Sequence, residues 1–282
     1  MTAIAERGLP APTAAAMLVR ARRENFPVAL ALLSRAQRSH LMAIYGFARL
    51  VDDVGDEAGG DRLALLGELD ADLDRVFADR EPLHPVLRRL APTVWALCLS
   101  EQPFRRLIEA NRRDQRVSRY ATWAELRDYC VLSANPVGRL VLQVFGAATP
   151  GRYFASDAVC TALQLVEHCQ DVAEDLARGR LYLPAEDLAR FGCDERELRA
   201  PAAGPAARAL LRFEVERARG LLDLGTPLVH TLRGRARLAI AGFVAGGRAA
   251  ADAIERGGFD VLSGAPRPRR RDLLRRLVTA LR

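Results

Sequence analysis

Apolar side chains recur at intervals of three and four residues along most of the chain, the spacing that gathers them on one face of an α-helix. The pattern predicts helices over roughly 13–24, 27–34, 36–56, 61–79, 84–98, 101–116, 122–132, 136–147, 155–178, 205–224, 234–257 and 270–281. β-Branched residues are sparse, and no alternation of apolar and polar positions runs far enough for a sheet, so the expected fold class is all-α. The breaks carry recognisable stop and start signals. Gly59 and Gly60 with Asp61 should end one helix and cap the next, and Thr149-Pro150-Gly151 should end another. Ser156 or Asp157 is expected to cap the long helix after it, and Asn135 followed by Pro136 reads as an N-cap and first turn. No fixed-period repeat and no low-complexity linker divides the chain, so residues 1–282 are expected to form a single domain. Residues 1–12 are expected to be loose, and 266–282 to form a basic amphipathic tail.

Two of the predicted helices carry acid where the pattern is otherwise apolar. In "YGFARLVDDVGDE", residues 45–57, Asp52 and Asp56 share a face, and Asp53 and Glu57 share the adjacent strip. Helical steps backwards from Asp52 reach Arg49 and Tyr45, while Leu41, Ile44, Phe47, Leu50, Val51 and Val54 make the rest of the helix apolar. Taken alone, this cluster could be a solvated helix end. Acids at a helix C-terminus oppose its dipole, however, and carboxylates among apolar neighbours need a cationic partner. "QLVEHCQDVAEDLARGRLYLP", residues 164–184, repeats the design: Asp171 and Asp175 are four apart, Glu167 and Gln164 extend their face, and Glu174 lies beside it. Two such pairs on separate helices suit Mg²⁺ ions bridging a polyphosphate, because Mg²⁺ keeps waters and phosphate oxygens in its shell and needs few carboxylates. Arg49, Arg178, Arg180 and Tyr182 would add partners for the phosphate.

Composition narrows the field. Half of the 282 residues are apolar, and the formal charge of +7 comes from arginine, with no lysine in the chain. That bias reads as genome composition, and with no zinc-ligand spacing or helix-turn-helix pattern, no nucleic-acid partner is expected. Cys98, Cys130, Cys160, Cys169 and Cys193 form no C-x-x-C and are expected to be buried thiols of a reducing cytoplasm. No apolar run reaches the roughly 20 residues that span a bilayer. The tail "PRPRRRDLLRRLVTALR" places Leu273, Leu274, Leu277, Val278 and Leu281 opposite its arginines. It could lie at the inner face of the membrane or dock on the protein's own core.

The two acidic motifs "DDVGD" and "DVAED", with "GRLYLP" after the second, resemble those of the squalene and phytoene synthase family. The resemblance runs over about residues 20–260 and includes "RYATWAELRDYC" and "SANPVGRLVLQVFG". Within the family, "ENFPV", "SANPVGRLVL" and "QDVAEDLARGRLYLP" are most like the hydroxysqualene synthases of bacterial hopanoid biosynthesis. The resemblance implies an isoprenoid-synthase-type helical bundle around a central cavity, a prenyl diphosphate substrate and Mg²⁺ as cofactor. It implies metal-binding roles for Asp52, Asp56, Asp171 and Asp175, with Glu167 standing where many relatives carry an Asn ligand. It assigns substrate contacts to Asn25, Phe26, Tyr45, Arg49, Gln164, Arg180 and Tyr182. The implied reaction ionises presqualene diphosphate and captures the cation with water, giving hydroxysqualene and diphosphate. Head-to-head condensation of two prenyl diphosphates is the alternative within the family, and a non-catalytic helical scaffold the alternative outside it. A scaffold would be expected to lose its carboxylates, and here both motifs are complete. Other enzymes of the pathway are expected partners, and use of NADPH stays open. No general base stands out: His168 lies beside the second motif and Tyr129 on a neighbouring helix, and a lone histidine there is expected to be a packing group. The small residues of "SANPVG" allow either close helix packing or room for a prenyl chain.

Overall fold

The computed structural model describes residues 33–282. Asn25, Phe26, the predicted helix over 13–24 and nearly all of that over 27–34 lie outside the described residues. The described part is all-α, and its only strand-like pairing is an isolated bridge between Arg119 and Leu181. Helix α1 spans Arg35–Asp56, α2 Arg62–Phe77, α3 Pro85–Leu97, α4 Gln102–Asp114 and α5 Trp123–Ser133. There follow α6 (Asn135–Val144), α7 (Pro150–Gln170), α8 (Val172–Ala177) and α9 (Ala185–Phe191). A 3₁₀ turn at Glu197–Arg199 leads to α10 (Pro205–Gly225), α11 (Leu228–Thr231), α12 (Gly234–Arg256) and α13 (Arg270–Leu281).

Local chemistry sets these limits. Ser34 caps α1 reciprocally: its hydroxyl accepts from the Gln37 N–H at 3.2 Å, and the Gln37 side chain accepts from the Ser34 N–H at 3.2 Å. Asp61 caps α2 as the sequence predicts, accepting from the Ala64 N–H at 3.0 Å. Three expectations need correction. Helix α7 starts at Pro150 and not near 155, because the Thr149 hydroxyl caps it by accepting from the Arg152 N–H at 3.4 Å. Ser156 and Asp157 therefore lie inside that helix. Asn135 makes no capping bond; its side-chain oxygen accepts from the Thr161 hydroxyl at 3.0 Å and ties α6 to α7. Gly138 sits where a Cβ would be 2.4 Å from Ser156 Oγ and 2.5 Å from Cys160 Sγ, so at this position the small residue serves close helix packing. The short helices α9 and α11 and the 3₁₀ turn escaped the sequence pattern, because each is too brief to show a helical period.

Three apolar clusters form the core. One joins α1–α4 around Phe47, Leu66, Leu69 and Phe104; a second joins α5, α7, α9 and α10 around Leu126, Leu165 and Leu211. The third links α6, α7, α11 and α12 to α13, whose Leu277, Ala280 and Leu281 pack into it. The tail thus docks one face on the protein's own core, while Leu274 and Val278 stay exposed. Cys130, Cys169 and Cys193 are buried as expected, but Cys98 is exposed, because it ends α3 in a left-handed turn with φ 46°. Among the described residues, no helix is long and apolar enough to cross a membrane.

The turn between α2 and α3 hangs on one buried acid. Asp72 accepts from the N–H groups of Leu83 and His84, each at 2.7 Å, and the His84 ring then caps α3 through the Val86 N–H at 3.2 Å. Asp72→Ala would strand both backbone donors and is expected to cost about 2–3 kcal/mol. A thermal melt unchanged from the parent protein would refute this reading of Asp72.

Candidate active site

A cavity of about 330 Å³ opens where the cluster around α1–α4 meets the one around α5 and α7. Its wall brings together Asp52 and Asp56 from α1 with Gln164, Glu167, His168, Asp171 and Asp175 from the α7–α8 region. Arg178, Arg180 and Tyr182 come from the segment after α8, and Asn111, Asp114 and Tyr129 from α4 and α5. The helical turn continues through the second motif although the helix is broken at Asp171, since the Asp171 N–H bonds to Glu167 and the Asp175 N–H to Asp171. Gly179, with φ 82°, then reverses the chain in a conformation glycine adopts without strain. The turn is fastened by the Leu181 N–H to the Ser118 carbonyl at 2.9 Å and by Arg119 to the Gly179 carbonyl at 2.7 Å. It delivers Arg180 back to Asp56, to whose carboxylate it donates at 2.7 Å.

The first motif is supported from behind by α4. Asn111 donates to Asp52 at 3.2 Å, and Gln115 donates to the Gly55 carbonyl at 3.0 Å. A Cβ on Gly55 would fall 2.1 Å from Asn111 Oδ1, which explains the glycine within "DDVGD". Gly55→Ala is expected to push the Asn111 amide away from Asp52 and to lower activity about tenfold, the worth of one charge-assisted hydrogen bond. Parent-like kinetics in that variant would show that the amide does not orient Asp52.

Arg49 and Tyr45 take a different place from the stripe predicted for them. Arg49 pairs with Asp53 at 2.7 Å and Glu57 at 3.3 Å, and neither Arg49 nor Tyr45 lines the cavity. The reason is helical angle: Asp53, four residues on from Arg49, competes for the guanidinium with Asp52, three residues on. Asn111 and Asp114 were missed in the sequence, because "EANRRDQR" reads as a solvated face; their three-residue spacing, which puts both on one side of a helix, was the only signal available.

The electrostatics follow from enclosure. Asp52 opens onto the cavity but is ringed by protein, and this loss of solvation, reinforced by Asp56 and Asp53, pushes its carboxyl up to about 7. Asp175 also rises to about 7, first through burial and then through its neighbour Asp171, which is itself raised by burial and Glu174. Asp114 rises to about 6 for the same first cause, although Tyr129 and Tyr182 donate to it at 2.7 and 3.1 Å. His168 stacks on Tyr182, ring centres 3.9 Å apart, and burial holds it down at about 3. It is therefore a neutral plate beneath the tyrosine, the packing role expected of it.

The donors fit a hard divalent cation. They are all carboxylate or amide oxygens, and Asp52 and Asp175 are raised first by burial and then by neighbouring acids, so a cation among them would relieve both penalties. Among the described residues no three His, Cys, Asp or Glu side chains are already gathered as a ligand set. An ion held there would take part of its shell from water and phosphate oxygens.

The family model described as Squalene/phytoene synthase matches residues 19–276. A phytoene synthase from Arthrospira platensis is 32% identical over 255 residues, 85% of this chain and 82% of the relative. A hydroxysqualene synthase from Rhodopseudomonas palustris is 36% identical over 220 residues, 75% of this chain and 72% of the relative. Among solved structures, squalene synthase HpnC from Alicyclobacillus acidocaldarius superimposes with a TM-score of 0.79 at 45% identity, covering 86% of this chain and 92% of that one.

Proposed function

The chain belongs to the squalene/phytoene synthase family, and from that premise we propose that it converts presqualene diphosphate and water to hydroxysqualene and diphosphate. The observation that carries the reading is the meeting of two aspartate pairs, from α1 and the α7–α8 region, with Arg178 and Arg180 around one cavity. The likeness to a hydroxysqualene synthase and to an HpnC structure supports this reaction within the family.

Asp52, Asp56, Asp171 and Asp175, with Glu167 and Gln164 beside them, would hold Mg²⁺ and the diphosphate. Bound Mg²⁺ supplies neutralising charge to the diphosphate oxygens. Arg180 and Arg178 face the same group and stabilise the negative charge that gathers on it as the carbon–oxygen bond breaks. Leu107, Ala110 and the ring of Tyr129 line the apolar side, where a hydrocarbon cation is shielded from bulk water. The cation then rearranges and takes one water.

The reading places the enzyme in the cytoplasm, working beside other enzymes of hopanoid synthesis. The exposed Leu274 and Val278 of α13, flanked by the exposed Arg271 and Arg275, would rest on the membrane that receives the product.

Condensation of two prenyl diphosphates is the second reading, favoured by the phytoene synthase match, which covers more of the chain than the hydroxysqualene synthase match does. The test is to supply the purified protein with Mg²⁺ and either presqualene diphosphate or farnesyl diphosphate, without NADPH, and to identify products by mass spectrometry. Hydroxysqualene from presqualene diphosphate, lost on adding EDTA, is the expected result. Presqualene diphosphate formed from farnesyl diphosphate would move the enzyme to condensation, and no turnover of either would leave a scaffold.

A further inference from the structure

The floor of the cavity holds an acid and two phenols tied to one another by hydrogen bonds. Asp114, at the end of α4, accepts from Tyr129 through Oδ2 at 2.7 Å and from Tyr182 through Oδ1 at 3.1 Å. A carboxylate has no proton to give, so both phenols must donate. Their oxygens then face the cavity as acceptors only. Both rings are buried and cannot turn away: Tyr182 is sandwiched between His168, 3.9 Å away, and Tyr120, 5.9 Å away, and Tyr129 packs 5.5 Å from Tyr120. The two phenol oxygens also lie beside one another, close enough to interact, with their rings 5.4 Å apart. A water resting on the pair from the cavity side must donate its hydrogens to them, and that leaves its lone pairs directed at whatever fills the cavity.

We infer that Asp114, acting through Tyr129 and Tyr182, holds the water that captures the cation. The inference rests on the water-capture reading above and assigns its missing part. The carbon–oxygen bond to diphosphate breaks with its electron pair leaving on the diphosphate. The oxygen of the held water forms the new bond to carbon. The proton it sheds passes to a phenol oxygen while that phenol's own proton passes to Asp114, which later returns it to solvent. Asp114 is thus a positioning residue and proton acceptor at one remove, and the phenols touch the reacting water.

The experiment measures two quantities for the full-length protein with Mg²⁺ and presqualene diphosphate: total diphosphate released, and the ratio of C30 alcohol to C30 hydrocarbon. In Asp114→Asn the amide donates to one phenol and turns that hydroxyl round. The alcohol-to-hydrocarbon ratio is expected to fall about tenfold, the effect of one misdirected hydrogen bond, while diphosphate release falls less. Tyr129→Phe and Tyr182→Phe should shift the ratio in the same direction, and they carry the test if Asp114→Asn does not fold. Asp114→Glu should restore part of the ratio. An unchanged ratio in the folded variants, with total turnover falling alone, would overturn the inference and leave Asp114 a structural residue. Failure of the parent protein to make any alcohol would instead overturn the water-capture reading, and this inference with it.

Discussion

Asp52→Ala and Asp171→Ala are each expected to lower Mg²⁺-dependent diphosphate release by about a thousandfold or more, the scale on which charge stabilisation at a developing anion acts. Each removes one acid of a four-spaced pair, leaving Asp56 or Asp175 without its companion on the cavity wall. Stability should move the other way. Burial raises the Asp52 carboxyl from 3.8 to about 7, so the folded state disfavours its charged form. Its contribution to stability is therefore complete below about pH 4 and is lost as pH rises through 7. Asp52→Ala removes that loss, so above pH 7 the variant should melt no lower than the parent, with unchanged helical circular dichroism. Loss of activity together with an equal or higher melting temperature is the signature of a functional carboxylate. A variant that still turns over substrate at the parent rate would remove the role proposed for these acids.

Arg180→Gln is expected to reduce kcat by roughly 100- to 1000-fold, comparable with deleting one preorganised donor to a developing negative charge. Arg180 is half-buried and bound to Asp56 at 2.7 Å, and neighbouring Asp114 and Tyr182 also favour its positive charge. Two roles are separable by kinetics. If the guanidinium stabilises charge on the leaving group, kcat falls at saturating Mg²⁺. If it only holds Asp56, the Mg²⁺ requirement rises and kcat recovers when the ion is raised. The first outcome is expected, with Arg180→Lys recovering only part of the rate, because an ammonium cannot bridge two oxygens side by side.

Most helices and the facing acidic pairs were legible in the sequence because each is a local pattern. The three- and four-residue spacing of apolar side chains predicts α1–α7, α10, α12 and α13, and Asp61 marks a start that the structure uses, whereas Ser34, the cap of α1, falls at the end of the helix predicted over 27–34. Asp52 with Asp56, and Asp171 with Asp175, share helical faces by arithmetic alone. What escaped depends on contacts between distant segments. Asn111 and Asp114 look like surface residues until α4 is laid against α1 and α5. Arg49 is equally three residues from Asp52 and four from Asp53, and only the rotation of α1 in the bundle decides that it serves Asp53. Thr149 prevailed over Ser156 as a cap because Pro150 can open a helix, a choice that apolar spacing five residues later concealed.

The hydrogen bonds that assemble the cavity join remote parts of the chain: Arg180 to Asp56 spans 124 residues, Tyr182 to Asp114 spans 68 and Asn111 to Asp52 spans 59. Contacts of such long range close large loops and form after local helices do. During renaturation from denaturant, circular dichroism should therefore recover ahead of catalysis, and the interval between them measures how long the chain spends as helices that do not yet share an acidic chamber.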